Sequence, residues 1–403
     1  MNVSAFNEVP KRFLVAFSVV LIVPVVISVY VASVYLATVS GNLDASGNAV
    51  GRDFVLMWVG GKLAASDDIA TVFDPPLFYA TVREIFGPEF PFIKWVYPPH
   101  FLFIALPLAY LSYLGAYAAW CGITLISFLA AARWAGLHWL GVGVLFAAPS
   151  TFINGLTGQN GFLTAALCIA GWALLKERPW LAGIMFGALT IKPHLGILIP
   201  IALIAAREWR AMAGAAITFG VFVATSTALF GADAWSMYIN VIGPDMADYV
   251  VSDKGVAEWM MPTFFNAAGR LGFDSLTAGL VQFPATVLAA VITYQAFRRP
   301  WPFEFKISTF MACVFLATPY AFNYDMAYLS IPVIVLLGHA ASNNLRQDEL
   351  WTAAAAWLLP MAIFPLNYHH LPLSPLIILA LVACLWRRAE IAAANGKRVF
   401  AKF

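Results

Sequence analysis

Twelve apolar runs separated by short polar breaks set the solvent of this chain before any other feature is considered. They cover 13–37, 99–132, 138–153, 160–175, 180–191, 194–206, 209–230, 275–297, 306–321, 323–341, 350–366 and 373–387. A helix crossing the hydrocarbon core of a bilayer needs about 20 apolar residues, and several of these runs reach that length. Of the 403 residues, 62% are hydrophobic and only 11% are charged. A soluble domain carries roughly 25% charged residues. A soluble fold of this size could not hide so much apolar surface, so lipid must be the solvent for most of it. The expected fold class is an all-α polytopic membrane protein with about 10–12 transmembrane helices.

Lys11 and Arg12 precede the first run, 13–37. It exceeds the ~7–15 apolar residues of a signal peptide and reads as a retained span. The run 99–132 is interrupted by Pro107. The runs 180–191 and 194–206 flank Lys192-Pro193 and read as one broken or re-entrant element, which is tolerated only inside protein or beside a cavity. Under the twelve-span reading, 16 of the 23 Lys and Arg residues fall on one side. Basic residues favour the cytoplasm, which makes both termini cytoplasmic in a multi-pass protein of the cell membrane. The chain then reads as a single domain, 1–403. It has a first span at 13–37, a first outer loop at 38–98 and central spans at 99–230. A second outer loop at 231–274 and C-terminal spans at 275–390 complete it. In the first outer loop, Asp53–Ala65 and Pro75–Phe86 have helical spacing and are expected as helices lying in the membrane interface.

Several function classes drop out. No basic tract suits nucleic acid. Cys121, Cys168, Cys313 and Cys384 all sit inside apolar runs, and none has the spacing of a zinc site or disulfide framework. GxSxG, P-loop, GxGxxG and HExxH patterns are absent, so hydride transfer, ATP hydrolysis and zinc proteolysis have no support. Neither a metal nor a cofactor is expected.

The polar residues that remain gather on the outer side. Asp53 heads the first loop helix, where it could act as a general base or simply cap the helix. Tyr97 and His100 belong to Trp95-Val96-Tyr97-Pro98-Pro99-His100, and a polar group at the start of an apolar run is costly unless it is used. Gln159 and Asn160 end Asn154-Gly155-Leu156-Thr157-Gly158-Gln159-Asn160. A turn explains the glycines, and the amides suit a hydroxyl-rich ligand. Lys192 and His194 lie in Ile191-Lys192-Pro193-His194, where a cation beside an opened helix suits a phosphate. Tyr320 and Asp325 lie in the segment Thr318–Asp325, between two spans. His369 and His370 close the outer side but point apart on a helix, so they form no metal pair.

These segments, taken in order, resemble glycosyltransferase family 87. The likeness rests on Gly51-Arg52-Asp53-Phe54 with Trp58, Gly61-Lys62-Leu63-Ala64, Val72-Phe73-Asp74 and Tyr97-Pro98-Pro99. It continues through Gly158-Gln159-Asn160, Leu181-Ala182-Gly183 to Lys192-Pro193-His194, Phe230-Gly231 with Trp235, and Pro319-Tyr320 with Tyr324-Asp325. About residues 50–340 are covered. The resemblance implies a GT-C-like bundle that moves mannose from a polyprenyl-phosphate donor to a lipid or glycan acceptor. It places the catalytic acid at Asp53. The family's usual Lys-Pro-Gln reads Lys-Pro-His here. A polyprenyl phosphate is already a good leaving group, so the chemistry needs a base for the acceptor hydroxyl and cations for the phosphate. Asp53 is the expected base, with inversion at the anomeric carbon. Lys192, His194, Arg52 and His100 are the expected phosphate ligands. Gln159, Asn160, Tyr97, Tyr320 and Asp325 are the expected sugar and acceptor ligands. Expected partners are the donor, the acceptor and membrane lipids, with no nucleic acid. The rival reading is a transporter or flippase of a lipid-linked sugar. Against it stand the lack of an internal repeat and the gathering of charge on one face.

Overall fold

The computed structural model describes residues 11–246, 255–341 and 345–395. Part of the second outer loop, 247–254, and both chain ends, whose side of the membrane the charge count predicts, lie outside the described residues. Among the described residues every regular element is helical, apart from isolated bridges within 40–49. Five helices are long and apolar enough to cross a membrane, or six if one pair bent by 50° counts as a single span. The all-α polytopic class is therefore as expected; the run 373–387 lies in a further 22-residue helix, and the other apolar runs form shorter ones.

Helix α1 (Lys11–Ala37) is one of the long five and stands at the edge. Ile22, Val26, Val29, Tyr30 and Leu36 are all exposed on it, which suits lipid and not water. Four short helices follow: α2 (Phe54–Ala65), α3 (Ile69–Val72), α4 (Pro75–Phe86) and, after a tight turn at Pro99–Phe101, α5 (Leu102–Leu108). The run 99–132 divides near Pro107, as its sequence indicates, and resumes as α6 (Tyr113–Trp134). In the first outer loop, α4 has the one-sided pattern of a surface helix. Phe78, Val82 and Phe86 face inward, and Asp74 caps the start by accepting from the Leu77 amide at 3.0 Å. Helix α2 departs from that pattern. Its sequence FVLMWVGGKLAA has no polar face, Lys62 being its one ionisable residue, and it is buried on nearly every side against α5.

The bent pair is α7 (Trp139–Phe146) and α8 (Pro149–Thr157), followed by α9 (Gly161–Leu174). Helix α10 (Pro179–Ala188) tightens through Leu189–Ile191 and stops at Lys192, whose φ of −142° and ψ of 73° are not helical. A second tight turn, Pro193–Leu195, leads into α11 (Ile199–Ala206). The break expected at Lys192-Pro193 is thus present, where proline has no N–H to give the preceding turn. Then come α12 (Trp209–Phe230), α13 (Ala232–Met237), α14 (Phe264–Arg270) and α15 (Ser275–Arg298). Helix α16 (Phe303–Ala317) is the centre of the core, buried along almost its whole length between α15, α17 (Ala327–Ala341) and α19 (Ser374–Asn395). Helix α18 (Gln347–Tyr368) completes the bundle.

Charge sorts to the two ends. At one end Lys176 pairs with Glu208 at 2.9 Å and Arg299 with Glu390 at 2.5 Å. Arg387 and the buried Arg388 both meet the fully buried Glu349, joining α18 to α19. Asp53, Gln159, Asn160, Lys192 and Asp325 meet one another away from these pairs.

Candidate active site

One stripe of α6 assembles the site. The Tyr113 hydroxyl donates to the Val50 carbonyl at 2.6 Å. One turn on, Tyr117 donates to the Gly155 carbonyl at 2.6 Å, and Trp120 donates to the Gly158 carbonyl at 2.9 Å. Positions 113, 117 and 120 share a helix face, so α6 clamps the turn before α2 against the turn before α9. Gly158 makes the close approach possible. Its φ is +59°, and a Cβ there would lie 2.6 Å from Cβ of Phe54.

This clamp brings Asp53 to Gln159. The Gln159 amide donates from Nε2 to Asp53 Oδ2 at 2.9 Å, and its Oε1 accepts from the Tyr97 hydroxyl at 3.0 Å. The next residue, Asn160, accepts from Lys192 Nζ at 3.0 Å. Lys192 also pairs with Asp325 Oδ1 at 2.5 Å and lies 4.8 Å over the Tyr324 ring. The lysine is 7% exposed and its partner carboxylate is fully buried. Asp325 Oδ2 accepts from the Phe322 amide at 3.1 Å, which anchors the carboxylate in its turn.

Asp53 is half-buried. Burial raises its proton affinity above the usual carboxylate value; the Gln159 hydrogen bond and the charges of Lys192 and Arg52 oppose that rise. A cavity of about 280 Å³ opens beside this network. Tyr97, Gln159, Lys192, His194 and Tyr320 line it, all of them among the residues expected from sequence. Asn160 and Asp325 sit behind Lys192 as its partners, and Asp53 sits behind Gln159; none of the three lines the wall. Both Asp325 oxygens are engaged inside the protein, so it serves the lysine and is not presented to a sugar.

Two expected phosphate ligands are not brought to the cavity. Arg52 sits in a left-handed turn with φ of +46°, and its guanidinium pairs with Asp44 at 2.8 Å. His100 leaves the Pro98-Pro99 corner toward α12 and α13. It stacks on Trp235 at 5.8 Å and contacts Phe222, with its Nε2 3.3 Å from the Thr190 hydroxyl. Tyr238 and Met246 also line the cavity and escaped the sequence reading, and Tyr324, named there only beside Asp325, lines it too. Tyr324 neighbours Asp325 and could have been found by extending the same cost argument. Tyr238 begins a five-residue π-helical stretch, a local widening that apolar periodicity does not reveal.

The joint between α9 and the Tyr320–Asp325 turn is tight. Asn154 donates to the Tyr324 carbonyl at 2.9 Å, and a Cβ on Gly161 would fall 2.2 Å from that same oxygen. Gly161→Ala is therefore expected to destabilise the protein by about 1–3 kcal/mol, as overpacking does. Thermal melting in detergent reads this. Gly122→Ala on α6, with open space around it, is the control and should melt no lower than wild type.

Residues 95–319, more than half of the chain, match the sequence model of glycosyltransferase family 87. The chain belongs to that family. Comparison with curated proteins and with solved structures found no match. Family 87 membership makes this protein a membrane glycosyltransferase, an enzyme that brings together a sugar donor and an acceptor, and it is consistent with the GT-C superfamily. The matched segment contains Tyr97, Gln159, Lys192 and His194; Asp53 precedes it and Asp325 follows it.

Proposed function

We propose that this family 87 enzyme transfers a hexose, mannose by preference, from a polyprenyl-phosphate sugar to a hydroxyl of a lipid or glycan acceptor, with inversion. The observation that carries this reading is the adjacency of Gln159 and Asn160. One contacts Asp53 and the other contacts Lys192, which sets a carboxylate directly behind the cavity wall that carries the cation. Asp53 takes the proton of the acceptor hydroxyl as its oxygen attacks the anomeric carbon. The bond from that carbon to the phosphate oxygen breaks, and its electron pair leaves with the polyprenyl phosphate. Lys192 faces the charge that develops there, with His194 beside it. Tyr97, Tyr320 and Tyr324 line the cavity beside the place of the sugar. Arg52 and His100 have no part in this scheme. The charge pattern supports an active site on the extracytoplasmic face of the cell membrane, with both termini inside.

Mass spectrometry of membrane lipids from cells with and without the gene tests this reading. The expected result is loss of one glycolipid and accumulation of its precursor lacking one hexose. An unchanged glycolipid profile with lipid-linked sugar retained on the cytoplasmic leaflet would replace the enzyme by a flippase.

A further inference from the structure

We propose that Gln159 is a positioning residue that ties one carboxylate oxygen of Asp53 and leaves the other for the acceptor hydroxyl. The proposal rests on the reading of Asp53 as the base. The orientation of the amide follows from its donors. The Asn160 backbone N–H, which can only donate, reaches Gln159 Oε1 at 3.4 Å, and the Tyr97 hydroxyl reaches the same oxygen at 3.0 Å. With Oε1 fixed on that side, Nε2 must face Asp53, where it donates to Oδ2 at 2.9 Å. A donor aimed at Oδ2 directs any proton to Oδ1 and bonds more strongly while the carboxylate is charged. Gln159 is 4% exposed and Tyr97 3% exposed, so water cannot readily replace either contact.

The amide therefore favours the ionised carboxylate and fixes its plane, leaving Oδ1 as the basic atom. The charged groups around Asp53 are few. Arg52 lies on its own turn, and Lys192 comes from the break between α10 and α11. Tyr97 from the extended segment, Tyr113 from α6 and Tyr324 from the turn before α17 are the neighbouring phenols. Both cations oppose the effect of burial, as Gln159 does, and Gln159 does so through a direct hydrogen bond to the carboxylate.

The test is a titration of Asp53 itself, in the full-length protein in lipid nanodiscs. Infrared difference spectra against pH follow the protonated carboxyl band, assigned by its absence in Asp53→Asn. In Gln159→Leu the midpoint should move up by about one pH unit, a tenfold gain in proton affinity, because a hydrogen bond to the charged form is lost. Tyr97→Phe should move it less, since the Asn160 N–H still holds the amide. Gln159→Glu, nearly the same shape, should move it further up, because two carboxylates then share the site. It also serves if the leucine variant does not fold. A midpoint that stays at the wild-type value in the folded leucine or glutamate variant overturns the proposal. The measurement needs no donor or acceptor. Should Asp53→Asn retain full transfer while the titration moves as expected, the base reading fails and the tie between Gln159 and Asp53 stands.

Discussion

Asp53→Asn is expected to lower sugar transfer by about 10²–10⁴-fold, the usual cost of losing a general base. The substitution keeps the shape of the side chain and an oxygen for the Gln159 amide, which now donates to Asp53 at 2.9 Å. It removes only the capacity to take a proton. Stability should change little, because Asp53 makes no capping bond to α2. The pH dependence gives a second readout. A base works when ionised, so the wild-type rate should fall as pH falls through the Asp53 midpoint. Burial places that midpoint above the ordinary carboxylate range. The residual rate of the variant should lack this acidic limb. Purified protein in liposomes, supplied with labelled polyprenyl-phosphate mannose and extracted membrane lipid, measures both. Near-normal turnover in Asp53→Asn would remove Asp53 from the reaction.

The parts of this molecule that were legible in the sequence are those governed by solvent and local chemistry. Apolar runs announced the helices because lipid and a helix-only core leave no other choice. Proline beside Lys192 announced a break, and the break is there. The cost of burying Lys192 and Asp325 was also readable one residue at a time. What could not be read was that each is the answer to the other, since 133 positions separate them. The same limit explains Gln159. Its amide suits a sugar hydroxyl, yet the α6 stripe brings it to Asp53 and Tyr97 first. Arg52 looked free beside Asp53, but its left-handed turn gives it to Asp44, eight residues back. His100 looked expensive at the head of an apolar run; it stacks among aromatic side chains with its Nε2 on Thr190, and its buried Nδ1 meets no hydrogen-bond partner among the described residues. Helix α2 forms where helical spacing placed it, and its lack of any polar face matches its enclosure against α5.

Lys192→Met is expected to lower both stability and donor binding, and the ion pair decides how the two can be separated. Removing the lysine strands the fully buried Asp325 carboxylate, and breaking a buried pair in this way typically costs about 3–5 kcal/mol. Loss of donor binding in the single variant would therefore prove nothing about the phosphate. Combining it with Asp325→Asn removes the stranded charge. The new amide oxygen can still accept from the Phe322 amide, the bond that now holds Asp325 Oδ2 at 3.1 Å. Replacing both members of a buried pair by neutral groups is often nearly neutral for folding. The melting temperature should accordingly drop in Lys192→Met and recover most of the loss in the double variant. Donor affinity should not recover, because no other cation lines the described part of the cavity. Scanning fluorimetry and calorimetric titration with a short-chain polyprenyl-phosphate mannose give the two quantities on the same samples. If affinity returns together with stability, Lys192 serves only the fold, and the phosphate must be met by neutral donors such as His194 and Tyr238.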